Sequence, residues 1–260
     1  MWRRRSRPNV LRSRRARVSL GFFQSTLGKK AVVAVTGAIW VGFLVGHVAG
    51  NLKVFLPDPE PGVSDIDVYA EFLRSAGEPM LPHGGALWTF RLILIVALVL
   101  HVVFVVQLSV ASRAARPDRY ENQRLVRGTL SAKWMMPTGV LLLGFVVFHL
   151  LHFTTGTIDP ANFEQGRVYA NVYSAFARWP FVVLYAAAMG LVSLHVYHGA
   201  WSMFQTLGLD SPDRNRALRW FATILSVALF VGFVIVPISV AVGALDPPTE
   251  SVAQTETGGE

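Results

Sequence analysis

The chain has no cysteine. That excludes a disulfide scaffold, a cysteine-ligated iron–sulfur cluster and a thiol nucleophile. Charge is also scarce. Only 15% of the 260 residues are charged, against about 25% in an ordinary soluble domain. No acid occurs in residues 1–28. What fills the gap is apolar: 52% of residues are hydrophobic and the mean hydropathy is +0.43. These residues come in long runs, so the chain reads as an all-α integral membrane protein rather than a soluble one. The net charge of +8 and pI near 10.3 are explained by where the charges lie, with no need for nucleic acid.

Five runs are long enough to cross a bilayer, which takes about 20 residues. They cover 31–50, 87–111, 134–154, 180–204 and 220–244. Basic residues alternate between the connections. Residues 1–30, the second-to-third loop and the fourth-to-fifth loop hold nineteen of the 24 Lys and Arg. Basic loops stay on the cytoplasmic side, so the N-terminus is expected inside and the C-terminus outside, across a cell inner membrane. The acids Asp58, Glu60, Asp65, Asp67, Glu71 and Glu78 gather in the first outer loop.

Three regions are expected: a basic N-terminal segment (1–28), a five-helix membrane domain (29–245) and a disordered external tail (246–260) rich in Pro, Thr, Glu and Gly. The Arg-rich, acid-free start also fits an organellar transit peptide. The outer loop at 53–85 contains an amphipathic stretch, DIDVYAEFLRSAG, suited to a surface helix. No internal repeat is strong enough to name.

Six of the seven histidines lie inside apolar spans: His47, His101, His149, His152, His195 and His198. An ionisable residue at that depth marks a functional site by default. One such histidine is as well explained by an interhelical hydrogen bond; six are not. Neutral imidazole is a common metal and haem ligand. His47 and His149 lie roughly 21–24 Å along spans that rise from the inside, and His101 and His195 roughly 21–23 Å along spans that descend. Two levels roughly 15 Å apart result within a core about 30 Å thick. The outer level holds His47 and His149, the inner level His101 and His195. Two bis-histidine haems stacked in a four-helix bundle require this arrangement. His152 and His198 each follow a chosen ligand by three residues. Each is an alternative ligand, a hydrogen-bond donor to a haem propionate, or part of a quinone or proton site. By depth His152 belongs near the outer surface and His198 nearer the inner one.

Gly42, Gly46 and Gly50 repeat every fourth residue. They serve either a close helix contact or room for a porphyrin edge. Pro137 and Pro237 are expected to kink their spans or to end the regular helix. Trp88, Trp134, Trp179 and Trp220 sit at span ends as interfacial anchors. Arg91, one turn inside the second span, either snorkels or pairs with a propionate.

These residues resemble those of a known family: the single-chain, five-helix, di-haem cytochrome b subunit of succinate:quinone oxidoreductases and some fumarate reductases. The opening QSTLGKKAVVAVTGAIWVGFLVGHVAGNL is similar to the first-helix signature, at Ser25, Thr26, Gly28, Lys29, Lys30, Thr36, Gly37, His47, Gly50 and Asn51. Arg91 ten residues ahead of His101, FHLLHF around His149, and HVYHGAW from His195 follow in the family's order. The likeness covers about 20–245.

The resemblance implies the same ligand pairs that depth suggests, and favours His195 over His198 and His149 over His152. It implies two haems b and a quinone, menaquinone by likeness. Arg91, His152, His198, Ser25 and Lys29 are candidates beside the haems, and Glu71 and His83 are candidates for quinone contact. It further implies a flavoprotein subunit and an iron–sulfur subunit as partners, with a higher oligomer of the complex left open. The chain would pass electrons from succinate oxidation to quinone and carry no dicarboxylate site. One departure is Ser193, where some fumarate reductases carry a proton-transferring Glu. Two rivals stand: a di-haem cytochrome b of another quinone-linked dehydrogenase, and a haem-free transporter or assembly protein with intramembrane histidines.

Overall fold

The computed structural model describes residues 21, 23–115 and 130–249. The basic segment 1–20, the basic loop 116–129 and the tail 250–260 lie outside the described residues. Among the described residues there are seven α-helices and no strand: α1 (Thr26–Asn51), α2 (Asp65–Ser75), α3 (Gly85–Ala114), α4 (Leu130–Phe153), α5 (Val168–Phe176), α6 (Trp179–Thr206) and α7 (Asn215–Ala241). Five of them, α1, α3, α4, α6 and α7, are long and apolar enough to cross a membrane. Ile95, Val96, Val99, Val103 and Val106 on α3, and Ile224, Val227 and Val231 on α7, are exposed. Apolar surface of that extent on long helices suits lipid, not water. This is a multi-pass membrane protein with five helical spans.

The spans begin where local chemistry allows. Ser25, in extended conformation, accepts from the Gly28 N–H (3.0 Å) and caps α1, which satisfies one orphan donor of the first turn. Pro180 stands in the first turn of α6, where a missing N–H costs nothing. Gly243 in left-handed conformation (φ +73) closes α7, with the Ala244 N–H donating to Ser239 O at 2.8 Å. Pro137 and Pro237 lie inside α4 and α7, so neither ends its helix.

The two short helices lie together at one end of the spans, here called the cap side. The opposite end, where α1 starts and α3 ends, is the N side. On the cap side Asp67 Oδ1 accepts from the Tyr169 N–H (3.0 Å), tying α2 to α5. The tail's first residues are held there too: Tyr169 Oη donates to Asp246 O (2.8 Å) and Arg167 to Thr249 O (3.1 Å). The tail expected to be disordered from Asp246 is therefore anchored over residues 246–249.

Close packing joins α1 to α3, α1 to α6, α4 to α6, and most extensively α6 to α7. No such packing joins α1 to α4 or α3 to α6. The four helices thus run in the order α3, α1, α6, α4 around a ring that is open between α3 and α4, where close packing is likewise absent among the described residues, with α1–α4 and α3–α6 as its diagonals. The buried core lies on the α6–α7 side, around Ala188, Met189, Val192, Val196, Leu229 and Val234. Ser193 donates its hydroxyl to Ser226 O (3.0 Å) and pins α6 to α7.

The order of elements reveals a repeat that the sequence reading missed. Each half of the ring is a long helix, a short 3-10 turn (Leu52–Phe55 or Pro160–Asn162), a short helix and a second long helix. Aligned on this order, 36–47 and 138–149 share T-G-x4-G-F-x-V-x-H, and L-H-V recurs at 100–102 and 194–196.

Gly156, which ends α4, has φ +68, and a Cβ there would overlap the Phe163 ring. Gly156→Ala is expected to destabilise the fold by about 1–3 kcal/mol, read as a lower Tm of the purified protein in detergent.

Candidate functional site

Eleven residues separate Thr36 from His47 and Thr138 from His149, close to three helical turns. Each Thr therefore shares a helix face with its His, and both faces turn inward. On the N side, Thr36 Oγ1 meets His101 Nδ1 at 3.1 Å and Thr138 Oγ1 meets His195 Nδ1 at 3.2 Å. Both threonines are buried, at 4% and 1% exposure. The two bonds occupy equivalent places in the two halves.

The hydroxyl protons decide the tautomer. Thr36 Oγ1 donates to Val32 O at 2.7 Å, and Thr138 Oγ1 to Trp134 O at 2.7 Å. A hydroxyl has one proton, and both have spent it on the helix. Toward imidazole each can only accept. With the hydroxyl protons on those carbonyls, His101 and His195 would carry their proton on Nδ1 and leave a bare Nε2 lone pair, the form that binds a metal. The glycine after each Thr makes room: a Cβ on Gly37 or Gly139 would stand 3.4 Å from the Cε1 of His101 or His195.

On the cap side, His47 and His149 meet across the α1–α4 diagonal, ring centroids 5.9 Å apart and planes 82° from parallel. Each ring is stacked by the phenylalanine four residues before it, Phe43 at 5.1 Å and Phe145 at 6.0 Å. His101 and His195 belong to the other diagonal and lie within electrostatic range of each other. Thr36 beside His101 puts the two levels eleven residues apart along α1, roughly 16 Å.

A haem held by two imidazoles fits this arrangement on four grounds. Two imidazoles on one metal, with bonds of about 2 Å, place their ring centres roughly 6 Å apart. The diagonals that bear the pairs are without close helix packing, as is the open α3–α4 edge. The N-side tautomers are those of ligands. Finally, Trp40 lies on the same face of α1 between the two levels, and its Nε1 is buried with no partner among the described residues; a buried orphan donor costs about 1–3 kcal/mol. The residues that would hold the groups are His101 with His195, and His47 with His149. Among the described residues no three His, Asp or Glu gather into a metal cluster; these histidines meet in twos.

The other expected residues divide. Glu71 and His83 come together, Nε2 to Oε1 at 4.0 Å, with Glu78 at 3.1 Å from His83 Nδ1 and Arg74 at 3.4 Å from Glu71. They form an exposed cluster on the cap side. Arg91 lies over the Trp88 ring (5.0 Å), the posture of an interfacial anchor. Ser25 caps α1, and Lys29 is half-buried one turn on. His198 is half-buried and within electrostatic range of His195. His152 stands one residue before the end of α4, on the cap side, and is only 3% exposed, because α5 and the α4–α5 connection fold over it. Gly42 and Gly46 face open space, so they make no helix contact among the described residues; Gly50 lies tight against Tyr69.

Beyond His152 a small half-open pocket of about 10 Å³, room for about one water, is lined by Phe153, Asp159, Asn162, Phe163, Asn171 and Ser174. Its wall carries the Asp159–Arg178 ion pair. The hydrogen bond from Arg178 holds the Asp159 carboxyl below the usual carboxylate range, with a further contribution from Asn162. No known protein family, curated protein or solved structure matches the chain.

Two outcomes are expected. Thr36→Val or Thr138→Val leaves a buried Nδ1–H without an acceptor, at about 1–3 kcal/mol, and weakens retention of an N-side metal group about 10–100-fold. Titrating the purified protein with haem measures it. Asp159→Asn lowers Tm at neutral pH by the loss of about 1 kcal/mol. Because the folded-state pKa of Asp159 is depressed, the wild-type advantage is full above about pH 4 and closes as pH falls below it; Tm against pH checks it.

Proposed function

We propose that this chain is the membrane-anchor cytochrome b subunit of a succinate:quinone oxidoreductase. The observation that carries the reading is the double diagonal: two histidine pairs on opposed helices, one from each half of the ring, roughly 16 Å apart, with N-side tautomers set by hydroxyls. Bound there, two haems b would supply a one-electron relay between the two membrane faces. The chain's own residues hold the ligand rings, exclude water from them and fix the spacing of the two levels. Its partners would be a flavoprotein and an iron–sulfur subunit on one face and a quinone, menaquinone by resemblance, near the other. Succinate chemistry would reside on the partners.

Orientation follows from charge. Every ion pair among the described residues lies on the cap side: Lys53 with Asp65, Arg74 with Glu71, Arg167 with Glu164, Arg178 with Asp159, and His83 with Glu71 and Glu78. The cap side is thereby largely neutralised. The N side keeps the basic loops of the sequence, which supports a cytoplasmic N side in a bacterial-type inner membrane and a docking face for an acidic subunit. Glu71 and His83 would stand on the quinone side.

The test is haem content and company. Gentle purification from membranes is expected to give about two haems b per chain, with a flavoprotein and an iron–sulfur protein bound. His101→Ala or His195→Ala removes the N-side haem and His47→Ala or His149→Ala the cap-side one, read by pyridine haemochrome and redox titration. Different dehydrogenase subunits in the complex would assign the chain to another quinone-linked enzyme. A folded preparation with no haem would overturn the proposal.

A further inference from the structure

Three of the four ligand histidines assigned above meet a hydroxyl oxygen at Nδ1. For His101 and His195 the hydroxyl is a threonine whose proton is taken by a helix carbonyl. For His149 it is Tyr185, on α6, whose Oη lies 3.5 Å from His149 Nδ1. A phenol in this position poses a problem that the threonines do not. If Tyr185 donated to His149 Nδ1, the His149 proton would sit on Nε2 and block the metal. Something must draw the phenol proton the other way.

His152 is placed to do it. Its Nδ1 lies 3.0 Å from Tyr185 Oη, the shorter of the two contacts. Both partners are buried, Tyr185 at 6% and His152 at 3% exposure. The His152 ring is held between Phe181 (4.6 Å) and Phe153 (4.4 Å), so it cannot turn away without breaking both contacts. Tyr185 is fixed edge-on by Phe145 and Phe176, each at 5.2 Å. The His152 ring also lines the small half-open pocket that holds Asp159 and Asn162, where a water or a side-chain oxygen is able to accept from its second nitrogen.

We propose that His152 is a positioning residue for the metal ligand His149, acting through Tyr185: His152 Nδ1 accepts the phenol proton, so Tyr185 Oη accepts from His149 Nδ1–H and leaves His149 Nε2 bare. His152 replaces, on the cap side, the helix carbonyls that serve Thr36 and Thr138 on the N side. The inference rests on the proposed haem-binding function. It gives a role to a buried histidine that is three residues from a ligand and is not one itself.

Three variants of the full chain, purified with its bound subunits, test it. Tyr185→Phe removes the hydroxyl. His152→Leu removes the acceptor and keeps the bulk. His152→Asn keeps an oxygen acceptor near the place of Nδ1. The readouts are haem b per chain, the low-spin electron paramagnetic resonance signals of the two haems, and release of haem to an excess of apomyoglobin. The N-side haem serves in each sample as the control for folding. Tyr185→Phe and His152→Leu are expected to hold the cap-side haem about 10–100-fold more weakly, with a shifted cap-side signal and an unchanged N-side one. His152→Asn is expected to behave as wild type. Cap-side haem equally firm in all three, with unchanged signals, would overturn the inference and leave the haem assignment standing. So would loss of that haem in both His152 variants with retention in Tyr185→Phe, because His152 would then be the ligand. Wild-type protein without haem would overturn the function and the inference together.

Discussion

An imidazole inside a bilayer has two nitrogens and no water to satisfy them. One carries a proton that needs an acceptor, and leaving it bare costs about 1–3 kcal/mol. The other carries a lone pair. Here the protonated nitrogen of His101 and of His195 is met by a threonine that can do nothing but accept. Much of the ring's local design follows from that constraint. Gly37 and Gly139 let the imidazoles lie against the facing helix. The Thr and the His of each inward face stand close to three turns apart, so one straight helix serves both levels.

The same constraint explains where the protein is tight and where it is open. The dense contacts run through α6, α7 and α1, where Val, Leu, Ala and Met interlock. The diagonals are bridged by side chains instead. α7 supplies on one flank the packing that the diagonals give up. On the cap side a second cluster around Val54, Ile66, Val172, Phe176 and Tyr185 seals the ends of the spans.

Much of the fold could be read in the sequence. The five apolar runs became five long helices, each starting earlier than its apolar core; at α1 this is because a polar first turn, TLGKK at Thr26–Lys30, still winds as helix once capped. The levels also followed from counting residues along spans. The rest was hidden for physical reasons. The repeat escaped notice because lipid-facing positions accept any apolar residue; Ala38, Ile39 and Trp40 stand opposite Val140, Leu141 and Leu142, which dilutes the six shared residues. Spacing did carry a signal that went unread, a Thr-Gly pair eleven residues before each rising histidine. Tyr185 gave none: its contact with His149 joins residues 36 apart, and nothing local to either predicts it. The burial of His152 gave none either, because depth along α4 takes no account of a short helix folding back over the end of the span.

The halves also act as rigid levers. Each level takes one histidine from each half, and both halves carry their two histidines at the same separation. Sliding one half along the membrane normal by a single residue, about 1.5 Å, would therefore put both levels out of alignment by the same distance and in the same sense. Register is one degree of freedom, shared by two sites far apart. The Asp67–Tyr169 bond between α2 and α5 joins the halves beyond the ends of the spans. That bond at the membrane surface adds to the α1–α6 packing within the spans, and both hold the register on which the two levels depend.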